Sequence, residues 1–232
     1  MITIELRDPT QVDKAKLEDT LIEVLYSRYT NLVFHGGTAI WRCYSGNRFS
    51  RDLDFYMEAK TSAEKMQEYR AVSKFLQDNG FTVKEKGYSR SNDTMHFIVE
   101  LAGTKMKIDI NFKYKRGIHA DYSKIDGSKI VVLSLSPAEL LEEKIIAYSD
   151  KFDNKSGFKH PEAHDLYDMW YLVSIIKKVD PKTVKRMRDL IARIENKPPP
   201  DISSLDHMII TGLPPSFELM INRLKEWVND NS

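Results

Sequence analysis

Asp52 and Asp54 stand two residues apart in Arg48-Phe49-Ser50-Arg51-Asp52-Leu53-Asp54-Phe55. On a strand this spacing turns both carboxylates to one face and Leu53 and Phe55 to the other. Neighbouring carboxylates repel unless a cation lies between them. Hard oxygen donors suit Mg2+, which keeps positions for water and substrate phosphates. In a chain with 19 aspartates an Asp-x-Asp pair is weak evidence alone, and its plain alternative is a solvated strand edge. Its company strengthens it. Upstream, in His35-Gly36-Gly37-Thr38, a strand running through two glycines into a helix would offer backbone N–H groups to a phosphate. Downstream, Asp109 shares the polar face of a strand with Lys107. Three carboxylates from two strands can hold two Mg2+ ions. One would activate an attacking hydroxyl and the other would stabilise a leaving pyrophosphate.

Such a site needs strands that end near a helix start. Residues 32–34 read as a short buried strand, 39–44 as a short helix capped by Thr38, and 53–57 as the strand bearing the aspartate pair. In the clearest strand, 105–113, Met106, Ile108, Ile110 and Phe112 alternate with Lys105, Lys107, Asp109, Asn111 and Lys113, a period of two with one buried face. Strands at 81–88, 94–101 and 130–135 and helices at 10–30 and 61–78 complete this half. At Ser136-Pro137-Ala138-Glu139 the character changes: serine as cap, proline first and glutamate third announce a helix. Helices follow at 137–150, 161–179, 181–196 and 215–229. We therefore expect an α+β chain, a mixed sheet with flanking helices over 1–135 and a helical C-terminal domain over 136–232.

The helical half carries its own candidates. Lys144 lies at the edge of the apolar face made by Leu140, Leu141, Ile145 and Ile146, and Asp165 and Asp168 share one side of a helix. A lysine facing a cleft would neutralise triphosphate charge, but spacing alone favours ordinary solvated side chains. On 181–196, Lys182, Arg186, Arg193 and Lys197 form a basic stripe, either a solvated face or a phosphate-backbone contact to RNA. Residues 105–129 hold seven Lys or Arg against three Asp.

Composition narrows the class. Net charge is +1, with 41% hydrophobic and 30% charged residues, as in ordinary globular proteins. No apolar run approaches a membrane span, so no membrane partner is expected. The opening MITIELRDPTQVDK lacks a basic region followed by an apolar core, so no signal peptide is expected. One cysteine, Cys43, leaves no intramolecular disulfide and points to a reducing cytoplasm. His160 and His164 stand four apart with no obvious third ligand, which disfavours zinc. A Walker-type phosphate loop is absent from the sequence.

Gly36-Gly37-Thr38-Ala39 followed by Arg48-Phe49-Ser50-Arg51-Asp52-Leu53-Asp54-Phe55 resembles the first motif of the AbiEii/AbiGii-type nucleotidyltransferase toxins. Lys107-Ile108-Asp109 resembles their second motif. Leu140-Leu141-Glu142-Glu143-Lys144-Ile145-Ile146-Ala147 is similar to the third and Asp165-Leu166-Tyr167-Asp168 to the fourth. The resemblance implies a polymerase-β-like nucleotidyltransferase sheet followed by a helical part. It implies Mg2+, one ion or two, and a nucleoside triphosphate as substrate. Asp52, Asp54 and Asp109 would be metal ligands and, with Lys144 and Asp165, catalytic residues. Nucleotide contacts would fall to Gly36, Gly37, Thr38, Arg48, Ser50, Lys107 and Lys144. The reaction expected is transfer of a nucleoside monophosphate to a hydroxyl, with tRNA as acceptor. The setting implied is a toxin–antitoxin or abortive-infection system with an antitoxin protein as partner. The alternatives are AMP transfer to a protein or small molecule and a catalytically silent nucleotide- or partner-binding module.

Overall fold

Alternation in strand β5 (Thr104–Asn111) puts Met106, Ile108 and Ile110 into the core and leaves Lys107, Asp109 and Asn111 on the other face. In the computed structural model, which describes residues 6, 8–89, 93–154 and 160–232, β5 is the third strand of a seven-stranded sheet. Of the opening residues 1–14, residues 1–5 and 7 lie outside the described set. The chain divides into two compact units: residues to Ser45 with Phe49–Leu135, and Gly46–Arg48 with Ser136–Ser232.

The first unit holds all seven strands and three helices. In chain order these are α1 (Pro9–Arg28), β1 (Val33–His35), α2 (Gly36–Tyr44), β2 (Asp52–Tyr56), α3 (Ser62–Asp78), β3 (Thr82–Ser89), β4 (Thr94–Leu101), β5, β6 (Ile118–Ser123) and β7 (Lys129–Ser134). Their order across the sheet is β3-β4-β5-β2-β1-β7-β6. The pairs β2–β5 and β1–β7 are parallel and the other four antiparallel, so the sheet is mixed. Leu21, Leu25, Phe34, Leu53, Phe55, Phe97 and Ile108 form the centre of its core. Each large apolar side chain taken fully from water contributes about 1.5–3 kcal/mol, and this layer fixes the register of the polar face behind it.

Two sequence expectations need correction. Helix α2 begins at Gly36 rather than after Thr38, and its cap is His35, with no side-chain hydrogen bond. Gly36 has φ +76°, which lets the chain turn into the helix two residues early. The strands expected for this half also leave one out. Beyond β7 the sheet has an edge strand, β6, which the sequence does not announce because only Tyr122 of its six residues is buried.

A buried charged cluster holds α2 from behind. Arg42 Nη2 donates to Asp19 Oδ1 at 2.5 Å and to the Ala15 carbonyl at 3.2 Å. Its Nε lies 3.5 Å from Glu18, and the Tyr122 hydroxyl donates to Asp19 at 2.9 Å. Two acids face one guanidinium there. Burial, the dominant influence, raises the Glu18 carboxyl well above the glutamate range despite Arg42.

In the second unit, α4 (Pro137–Phe152) starts with the expected capping box of Ser136 and Glu139. It packs on α5 (Ala163–Ile175) and α6 (Pro181–Ile194). A 3-10 turn (Ile202–His207) and α7 (Phe217–Asp230) follow. Helix α6 buries Val184, Met187, Leu190, Ile191 and Ile194 along one stripe. Among the described residues no helix is long and apolar enough to cross a membrane.

Candidate active site

In the first unit the site grows from the pairing of three strands. Parallel pairing of β2 with β5 sets Asp52 against Lys107, Asp54 against Asp109 and Tyr56 against Asn111. All six lie on the sheet face opposite Leu53, Phe55, Ile108 and Ile110, and Tyr56 is itself buried on that face. Antiparallel pairing of β1 with β2 sets His35 against Asp54, and the next residue, Gly36, opens α2. A Cβ at Gly36 would fall 2.3 Å from Asp54 Oδ2; only glycine allows this carboxylate to approach the start of α2. Thr38 is buried and its hydroxyl donates to the Asp52 carbonyl at 2.6 Å. It thus ties α2 to the head of β2.

Asp109 is held on both oxygens. His96 Nδ1 lies 2.8 Å from Oδ1, and Lys107 Nζ donates to Oδ2 at 2.6 Å. Partial burial works against the Lys107 charge. The hydrogen bond to Asp109 and the charges of Asp109, Asp52 and Asp54 outweigh it and hold the ammonium above the ordinary lysine range. One cation is therefore already drawn to three carboxylates. A donor set of carboxylate oxygens fits a hard divalent cation, with further positions left to water and phosphate.

Lys144, Asp165 and Arg48 form a second constellation, in the helical unit. Arg48 binds Asp168 through two parallel bonds, Nε to Oδ1 at 2.8 Å and Nη2 to Oδ2 at 2.7 Å, the fork geometry that guanidinium favours. Lys144 Nζ donates to Asp165 Oδ1 at 2.7 Å and lies 2.8 Å from Asp168 Oδ2. Lys151 Nζ donates to Asp165 Oδ2 at 2.6 Å and to Glu162. Burial would raise both aspartates, but Lys144 and Lys151 around Asp165, and Arg48 and Lys144 around Asp168, hold them below the ordinary range. Burial also pushes the His164 imidazole down, toward its neutral form. The side chain of Lys144 is only 12% exposed. Glu162, His164 and Asp165 bring three donor atoms within 4.8 Å of one another. His160, the sequence partner of His164, is not among them, and Lys151 already bonds both acids.

Ser50 lies half-buried in the loop before β2, and Gly37 is half-buried in the first turn of α2. His96 was missed by the sequence reading. Its signal was present in β4, where Met95, Phe97 and Val99 are buried and His96 alternates onto the polar face. The basic stripe of α6 turns toward α4: Arg186 pairs with Glu142, and Arg193 donates to Asp153 at 2.7 Å and Ser149 at 3.2 Å.

A family model described as nucleotidyl transferase AbiEii toxin, type IV toxin–antitoxin system, matches residues 24–225. Among solved structures, JHP933 from Helicobacter pylori is 17% identical with a TM-score of 0.63, covering 96% of this chain and 91% of that one. MenT4, a nucleotidyltransferase toxin from Mycobacterium tuberculosis, is also 17% identical with a TM-score of 0.63, covering 96% of this chain and 85% of its own. These likenesses are of fold. A search of curated proteins finds no match.

Proposed function

The chain belongs to the AbiEii nucleotidyl transferase toxin family, and from that premise we propose that it transfers a nucleoside monophosphate from a nucleoside triphosphate to a hydroxyl of tRNA, with pyrophosphate as the leaving group. The observation that carries the reading is the facing of Asp54 and Asp109 across parallel strands, with Asp52 on the same face and Gly36 against Asp54. Asp52, Asp54 and Asp109 would hold Mg2+, which when bound polarises the α-phosphate and the attacking hydroxyl.

The chain's own groups do the rest. The N–H groups at the start of α2 receive phosphate oxygens where Gly36 and Gly37 leave the backbone open. Asp109, steadied by His96 and Lys107, orients the acceptor hydroxyl and takes its proton. Lys107 offsets negative charge beside the carboxylates. In the helical unit, Asp165 and Asp168 fix the Lys144 ammonium. Arg48 acts through Asp168 rather than on the nucleotide. An antitoxin protein is the partner this family implies, and the single cysteine supports a cytoplasmic setting.

The test is incubation with total RNA, Mg2+ and each α-labelled triphosphate in turn, beside Asp52→Ala and Asp54→Ala variants. Label in a tRNA-sized band with the wild type alone is expected. Equal labelling by the variants would remove the carboxylate site. Label in protein instead of RNA would replace the acceptor.

A further inference from the structure

The chain leaves β5, only a few residues past Asp109, through Lys113-Tyr114-Lys115-Arg116. Lys113, Tyr114 and Arg116 are exposed, and Tyr114 holds 71% of its surface in solvent. An exposed aromatic among three cations is not needed by the core, which Phe112 and Tyr122 enter on either side. Lys115 turns back instead. Its Nζ lies 5.7 Å from the centroid of the Tyr56 ring, and that ring stacks on His35 at 4.0 Å and 12°. Tyr56 stands on the same sheet face as Asp52 and Asp54, about 7 Å beyond Asp54 along β2. His35 is the partner of Asp54 across β1 and β2. A continuous track therefore runs from the carboxylates through His35 and Tyr56 to Lys115 and out to Tyr114.

We propose that residues 113–116, with the His35–Tyr56 stack behind them, seat the single-stranded, hydroxyl-bearing end of a polynucleotide acceptor. The inference rests on the nucleotidyl-transfer reading and deepens it by giving the acceptor its own binding surface. Aromatic faces accept any unstacked base, and interleaved cations follow the backbone. A duplex offers phosphates but no free base faces, so the surface selects a single strand. The other basic candidate, the α6 stripe, is less suited because Arg186 and Arg193 are engaged by Glu142 and Asp153.

The test uses the full chain and a short, end-labelled single-stranded oligoribonucleotide, with fluorescence anisotropy as readout and a duplex of the same sequence as comparison. Binding of a non-hydrolysable nucleoside triphosphate with Mg2+ is measured in parallel. Tyr114→Ala should weaken oligonucleotide binding about tenfold at unchanged salt dependence. A Lys113→Ala/Arg116→Ala variant should flatten the log–log salt dependence by about 1.4, or about 0.7 per lost phosphate contact. All three side chains are exposed, so folding is not at issue, and triphosphate binding should match the wild type in both variants. Wild-type oligonucleotide affinity in both variants, or a preference for the duplex, overturns the inference. A wild type that binds triphosphate but no oligonucleotide overturns it while leaving nucleotidyl transfer to another acceptor, such as a protein. A wild type that binds no triphosphate removes the underlying reading as well.

Discussion

Gly36 and Asp54 share a space that admits no further atom: a Cβ on the glycine would stand 2.3 Å from the carboxylate Oδ2. The glycine also has φ +76°. Gly36→Ala should therefore cost about 1–2 kcal/mol of stability from backbone strain. It should also displace Asp54, and a shift of this kind slows a positioned reaction roughly a hundredfold. Nucleotide incorporation and urea unfolding, measured side by side, check both. A variant with wild-type turnover would show that Asp54 need not lie against α2.

Lys144 is the cation shared by Asp165 and Asp168. Lys144→Ala leaves two buried carboxylates short of a partner and should destabilise the helical unit by about 3–5 kcal/mol. Lys144→Arg should recover most of that stability. Hydrogen exchange of the α5 amides reports on this unit alone. Unchanged protection in Lys144→Ala would mean that Arg48 and Lys151 suffice.

Acid should loosen the same unit. Asp165 and Asp168 have folded-state pKa values below their ordinary range. Their contribution is thus complete above the unfolded value of about 4 and is lost as pH falls through the folded values. Protection of α5 should decline from about pH 4 downward, and Asp165→Asn should make that decline shallower. An identical acid profile in the variant would assign the acid sensitivity to other carboxylates.

Glu18 predicts the opposite sign. Its raised pKa means that the folded chain keeps a proton which the unfolded chain releases above the glutamate range. Stability from this group therefore falls as pH rises from the unfolded toward the folded value. Among the described residues, neither carboxylate oxygen has a hydrogen-bond partner. Glu18→Gln should abolish this loss and leave Arg42 paired with Asp19, so the thermal midpoint at about pH 8 should equal or exceed that of the wild type. A lower midpoint at every pH would show that Glu18 is ionised and needed by Arg42.

What the sequence disclosed was governed by local pattern. The β5 alternation placed Asp109 on the polar face before any pairing was known, and serine, proline and glutamate located the start of α4. Pairing partners were not legible, because register depends on residues far away in the chain. Nothing near His96 says that it faces Asp109, and nothing near Arg186 says that Glu142 will engage it. The edge strand β6 escaped notice for a related reason: Ile118, His119 and Asp121 are exposed, so the alternation that marks a half-buried strand is faint. The early start of α2 depended on a positive φ, which a glycine permits without announcing.

The loop between α2 and β2 lends Gly46–Arg48 to the helical unit, and Arg48 supplies the fork that grips Asp168. The helices are therefore not a cassette that a genetic cut at Ser136 could release intact. A fragment beginning there would carry Asp168 with one of its two cations missing. Any recombination that exchanged the helical half between relatives would have to exchange, or reproduce, three residues encoded nearly ninety codons upstream. The arginine of the first motif thus constrains how the whole gene can be shuffled.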